Sequence, residues 1–172
     1  MSKMVETQTT WLAADEQVAW RSFIRLYSLL VTRLDAELTA AHLLPLAEYE
    51  VLVHLSEAED GALRMSALAN RALVSRSGLT RRLENLVDQG LVTKETCASD
   101  RRGTIAKLTD LGRSRLIEAA PTHVEGVRRY FIAKLEKPEL LQFSKLLQSL
   151  IEAFEQGGTI DQACTISLEC DN

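Results

Sequence analysis

Cysteine, histidine, proline and glycine are all scarce in this 172-residue chain, and each shortage excludes something. Three cysteines, an odd number and widely spaced, argue against a disulfide framework and for reduced thiols. Three histidines, His42, His54 and His123, stand scattered without ligand spacing, so no metal site is expected. Eight glycines include no phosphate-cradling loop, and neither a nucleophile elbow nor a Cys-His signature is present, so no catalytic residue, cofactor or enzymatic activity is expected. No uninterrupted apolar run approaches bilayer length and no basic-apolar leader opens the chain, so a cytoplasmic protein is expected. Hydrophobic residues make up 46% of the sequence, enough to build a core.

What the chain does have is an uneven distribution of charge. The net charge is −4, yet residues 64–115 carry 11 basic and 5 acidic side chains, which leaves −10 for the rest. A basic lobe in an acidic protein is the electrostatic footprint of a nucleic-acid binder, because phosphate attraction is local.

The same stretch has a readable element order. Met65, Leu68, Ala69 and Ala72 make one helical face, and Leu79, Leu83, Leu86 and Val87 make the next. Ser66 is placed to cap the first helix, and Ser75 or Ser77 the second; Gly90 suits the residue just past its end. Leu91 to Cys97 and Gly103 to Leu108 read as strands, with Leu91, Ile105 and Leu108 offered to the buried face and Leu63 to Met65 as a third, very short strand. The order is helix-turn-helix plus wing.

Flanking patterns are helical. Asp15 to Ala41 carries the stripe Trp20, Phe23, Ile24, Tyr27, Leu30, Val31, Leu34 and Leu38, widened by Leu26 and Leu29 beyond one partner's needs. Pro45 ends it, and a second helix runs from about Leu46 to Ala58, followed by an Asp60-Gly61 turn. Thr109 reads as the cap of a long helix in which Pro121 predicts a kink or break. Two further apolar stripes separate near Lys137-Pro138. The expected fold class is therefore mainly α with a small β-wing, a winged helix-turn-helix lobe beside a helical dimerisation lobe. Its divisions are a tail over 1–14, a dimerisation region over 15–45 and 121–156, a DNA-binding region over 46–120 and a second tail over 157–172.

The recognition helix presents Ser75, Arg76, Ser77, Thr80, Arg81 and Arg82 away from its apolar face, and Arg can pair with guanine while Ser and Thr serve bases or phosphates. Which arginine reads bases is left open by the residues. At the hairpin tip, Asp100, Arg101 and Arg102 precede Gly103, and an arginine there suits a narrow minor groove.

The segments LAEYEVLVHL, LRMSALA, RLENLVDQGLV and SDRRGTIAKLTDLGR together resemble the MarR (multiple antibiotic resistance regulator) family of winged-helix transcription factors over about residues 15–155. The resemblance implies a homodimeric double-stranded DNA-binding regulator, most often a repressor, released from a pseudo-palindromic operator by a small molecule or an oxidant. It also implies that Arg81 leads the recognition helix with Arg76 second, and that Asp100 aims Arg102 into the minor groove. Lys94 stands where the family commonly has Arg after Gly-Leu-Val-x, which weakens a phosphate contact without removing it.

For the signal, a small aromatic or anionic effector is expected in a crevice near Trp20, Tyr27, Arg33, His42 and Tyr49, between the first helices and the basic lobe. The alternative is a thiol switch at Cys97, whose pKa the wing arginines would lower, with Cys164 or Cys170 resolving it. A reading from another class makes the winged helix a protein-interaction module docking an acidic partner. An Arg-rich wing and a polar recognition helix, without exposed apolar anchors, speak against it.

Overall fold

The computed structural model describes residues 10–96 and 103–156. Six α-helices and three strands follow in order: α1 (Ala14–His42), α2 (Leu46–Ser56), β1 (Ala62–Arg64), α3 (Met65–Arg71), α4 (Arg76–Asp88), β2 (Val92–Thr96), β3 (Thr104–Leu108), α5 (Asp110–Tyr130) and α6 (Lys137–Gln156). Single 3₁₀ turns precede β1 (Glu59–Gly61) and α6 (Ile132–Lys134). The architecture is mainly helical with a small antiparallel sheet, as the periodicity predicts.

Local chemistry accounts for most boundaries. Glu16 reaches back to accept the Ala13 N–H at 2.7 Å at the start of α1. The helix ends at Leu43, whose φ of 51° is left-handed, and Pro45 opens α2 while Asp35 accepts the Leu46 N–H at 2.9 Å. Thr109 caps α5, its Oγ1 accepting from the Gly112 N–H at 2.9 Å and donating toward the Gly90 carbonyl at 2.8 Å. That single hydroxyl ties the end of the sheet to the turn after α4.

The strands align in the order β1-β3-β2, both pairs antiparallel, with Leu63 opposite Ala106 and Val92 opposite Leu108. Ala106 and Leu108 face the core, and Ile105 is only half-buried on the other side. Ile105 and Leu108 lie three apart, and a period of two cannot put both on one face, which corrects the expectation for Ile105.

The core gathers where α2, α3, α4 and the sheet meet. Val51, Leu52, Leu55, Leu68, Leu79, Leu83, Leu86, Leu91, Val92 and Ala106 are all sealed from solvent there, and Leu34 and Leu38 from α1 join them. Burial of each such leucine contributes roughly 2 kcal/mol. Gly112 lets α5 lie against this lobe, since a Cβ there would sit 2.1 Å from the Leu91 carbonyl oxygen. Gly126 does the same for α1, where a Cβ would meet Leu34 Cδ2 at 2.7 Å.

Two expectations are corrected. α5 runs unbroken through Pro121, which is exposed. A missing N–H removes one hydrogen bond of a 21-residue helix whose packing on α1 and α2 holds the rest. Ser66 is not a cap, because α3 starts one residue earlier, at Met65, behind Arg64. Among the described residues, no helix is long and apolar enough to cross a membrane, and no cluster of three or more His, Cys, Asp or Glu could hold a metal.

Candidate nucleic-acid interface

The turn from α3 to α4 is closed by the Val74 N–H on the Ala69 carbonyl at 3.1 Å and the Leu73 N–H on the Asn70 carbonyl at 3.2 Å. Leu73 occupies the left-handed region, φ 50°, with its side chain 88% exposed. Ser75 then caps α4, its Oγ accepting from the Gly78 N–H at 3.1 Å and lying 3.1 Å from Ser77 Oγ. Of the two caps open to the sequence, Ser75 is the one used.

Leu79, Leu83 and Leu86 lock α4 into the lobe, which fixes the orientation of everything else on it. Arg76, Ser77, Thr80 and Arg81 are exposed on the outward side and Arg82 is half-buried. Thr80 Oγ1 donates to the Arg76 carbonyl at 2.9 Å, so its lone pairs are what it presents outward. Lys94 is exposed on β2. Asp100, Arg101, Arg102 and Cys97 lie outside the described residues, as do Cys164, Cys170 and the two tails over 1–9 and 157–172.

A cleft of about 330 Å³ separates the start of α4 from the root of the wing. Arg76, Leu79 and Thr80 form one wall, Arg64, Met65 and Ser66 the second, and Gly103 and Thr104 the third. Arg64, Ser66 and Thr104 were not among the residues that the sequence offered for DNA contact. Each is an unremarkable basic or hydroxyl residue at an element boundary, and only the packing of β1 beside β3 brings them to the recognition helix. Cations and hydroxyls around an open cleft at a helix start are the groups that hold phosphate or base edges.

The five residues expected around an effector crevice are not gathered into one. Trp20 and Tyr27 are 56% and 61% exposed on the first half of α1, and Arg33 is also exposed. His42 is half-buried with Nε2 2.8 Å from Thr122 Oγ1, while Arg115 donates to its carbonyl at 3.2 Å. Tyr49 is buried under the His123 ring, centroids 4.7 Å apart. Burial pushes the Tyr49 phenol up, and burial pulls the His123 imidazole down against the opposing field of Glu50. Trp20 and His42 both lie on α1, but 22 residues at 1.5 Å each separate them by about 33 Å. The opening that does exist between α1 and α5, about 470 Å³, is lined by Glu37, Ala40, Ala41, Thr122, Glu125 and Arg129. Arg129 bridges Glu37 and Glu125 there at 3.1 Å each, and the Tyr130 hydroxyl donates to Glu37.

A helix-turn-helix whose second helix displays Arg, Ser and Thr beside a three-stranded antiparallel wing defines the winged-helix class of transcriptional regulators. The model of the MarR family matches residues 44–103. A MarR family transcriptional regulator of Streptomyces coelicolor, solved in complex with DNA, is 36% identical with a TM-score of 0.78, the match covering 84% of this chain and 94% of that one. AbsC, a MarR family transcriptional regulator of the same organism, is 37% identical with a TM-score of 0.78 over 86% of this chain and 99% of its own. A third such regulator from that organism shares 26% identity, with a TM-score of 0.73 over 84% and 98%. The chain belongs to the MarR family, whose members are transcriptional regulators and not enzymes.

Proposed function

We propose that the chain binds double-stranded DNA as a homodimer, represses transcription at a pseudo-palindromic operator and is released by a small effector. The observation that carries DNA binding is the outward face of α4, where Arg76, Ser77, Thr80 and Arg81 stand exposed beside the cleft that Arg64, Ser66 and Thr104 complete. A relative of 36% identity solved with DNA supports the same partner. In this reading Arg81 and Arg76 enter the major groove, Lys94 contacts a phosphate, and Arg102, aimed by Asp100, enters the minor groove.

Dimerisation is supported by apolar side chains that the single chain leaves uncovered. Phe23, Ile24, Tyr27 and Leu29 on α1 and Leu141, Leu146, Leu150, Ile151 and Phe154 on α6 are all exposed. A second copy would cover them, with residues 15–45 and 121–156 as the dimer region and 46–120 as the DNA-binding region. Half-sites then fall about 10 bp apart, one helical turn.

Titration of a duplex against salt tests the reading. Counterion release makes log affinity fall linearly with log salt, by about 0.9 for each phosphate neutralised. Arg102→Ala is expected to lower affinity by about 1–3 kcal/mol while leaving thermal unfolding unchanged. Salt-insensitive binding, or none to any duplex, would overturn it.

A further inference from the structure

Among the described residues, Glu48 on α2 is the one polar or charged side chain in the buried core, 7% exposed. Its Oε1 accepts from Asn85 Nδ2 of the recognition helix at 2.7 Å, a tie across 37 residues of sequence. Its Oε2 is buried without a hydrogen-bond partner. A carboxylate oxygen shut from water and unpaired is costly, so a donor that can reach it will be drawn to it.

The donors at hand are on α4. Arg81, Arg82 and Asn85 line one cleft with Glu48, about 410 Å³, closed on the α2 side by Pro45 and Ala47. Arg82 lies three residues before Asn85 and therefore on the same side of the helix. It is half-buried where Arg81 is exposed, and neither arginine has an ion pair among the described residues. Arg82 and a buried carboxylate oxygen that lacks a partner thus line the same cleft.

We propose that Glu48 is a positioning residue for DNA binding, whose unpaired carboxylate oxygen captures the Arg82 guanidinium by a side-chain rotation within their shared cleft and so withholds it from DNA phosphate. The inference rests on the DNA-binding reading given above. Its consequence is discrimination. Phosphate contacts add affinity to every sequence alike, so retaining one cation internally keeps non-specific binding low while Arg76 and Arg81 remain free to read bases.

Glu48→Gln keeps an oxygen for Asn85 and removes the charge. Against the parent, it is expected to bind a random duplex more tightly and to steepen the salt dependence by about 0.9 for each recognition helix, or about 1.8 for the two of a homodimer, which is roughly twelvefold in affinity for a fourfold drop in salt. The gain should vanish when Arg82→Gln is added. An unchanged slope, or a gain that survives in the Arg82→Gln background, would refute the pairing; a merely structural Glu48 would change melting temperature and leave the slope alone. Should Glu48→Gln not fold, exchange of the Arg82 Nε–H in the free parent, followed by NMR, decides the matter. Slower exchange than at Arg76 is expected, and equal exchange overturns the proposal. If the parent binds no duplex the DNA reading fails, yet the exchange measurement still tests the pair.

Discussion

The lobe formed by α2, α3, α4 and the sheet and the pair of outer segments, the first half of α1 and all of α6, spend similar side chains in different ways. In the lobe, Leu52, Leu55, Leu79, Leu83 and Leu86 are completely buried. On the outer segments Phe23, Leu29, Leu146, Leu150 and Phe154 lie open. Hydrophobic content is therefore no guide to where a single chain is self-sufficient. The lobe buries its leucines because four elements converge on it, with Leu34, Leu38 and Ala119 closing the core from α1 and α5, whereas α6 has no buried residue at all. An isolated helix with one apolar face is marginal in water, so α6 depends on something that covers that face.

The most severe way to break the comparison is inside the lobe. Leu83→Ala is expected to cost about 2–5 kcal/mol, and to lower the unfolding temperature equally at every protein concentration. A loss that shrinks as protein concentration rises would mean that the lobe is not self-sufficient.

Next in size is the opposite test on the outer segments. If the proposed dimer forms, Leu150→Asp should convert it to monomer in light scattering and make DNA binding fall with it, while the lobe's near-ultraviolet signal persists. The parent's melting temperature should rise with concentration, as it must when association stabilises the fold. A parent that is monomeric at micromolar concentration would remove the contrast altogether.

A smaller effect is expected at the turn before the recognition helix. Leu73 is strained in the left-handed region and packs against little, so Leu73→Gly should stabilise the lobe by up to about 1 kcal/mol in urea unfolding. A destabilised variant would mean that the exposed leucine makes a contact worth more than the strain.

The smallest effect concerns pH where α5 packs against α2 of the lobe. His123 is held neutral by burial beside Tyr49, so its folded pKa lies below the ordinary 6.5. The folded state then binds fewer protons than the unfolded one. Its contribution is complete above pH 6.5 and is lost as pH falls through the folded value. His123→Gln should flatten the melting temperature between pH 7 and pH 5 relative to the parent; an unchanged profile would place the titration elsewhere.

Much of this was legible beforehand because it is local. The spacing of Leu79, Leu83 and Leu86 marks a helix and its inward face whatever surrounds it. Ser75, Pro45, Gly90 and Thr109 act on backbone groups within a few residues, so helix starts and stops fall within two residues of expectation at α1, α2 and α4, as does the start of α5. Where the reading failed, a local rule met a tertiary contact. Pro121 disfavours a helix by itself, and packing of α5 against α1 and α2 overrides it. Ile105 has the stronger β-propensity, but the register against Leu63 and Val92 turns Ala106 inward.

The site divides in the same way. That Arg76, Thr80 and Arg81 share an exposed helical face follows from a 100° turn per residue, which the sequence alone determines. That Arg64, Ser66 and Thr104 join them, that Tyr49 lies under His123 and not with Trp20 and Tyr27, and that Glu48 reaches Asn85 were decided only in the tertiary structure. Each of these pairs residues from elements distant in the chain, and such distances are set by how whole helices and strands pack. A pattern of period 3.6 or 2 fixes which way a side chain points from its own element. It carries no information about which other element will be standing there.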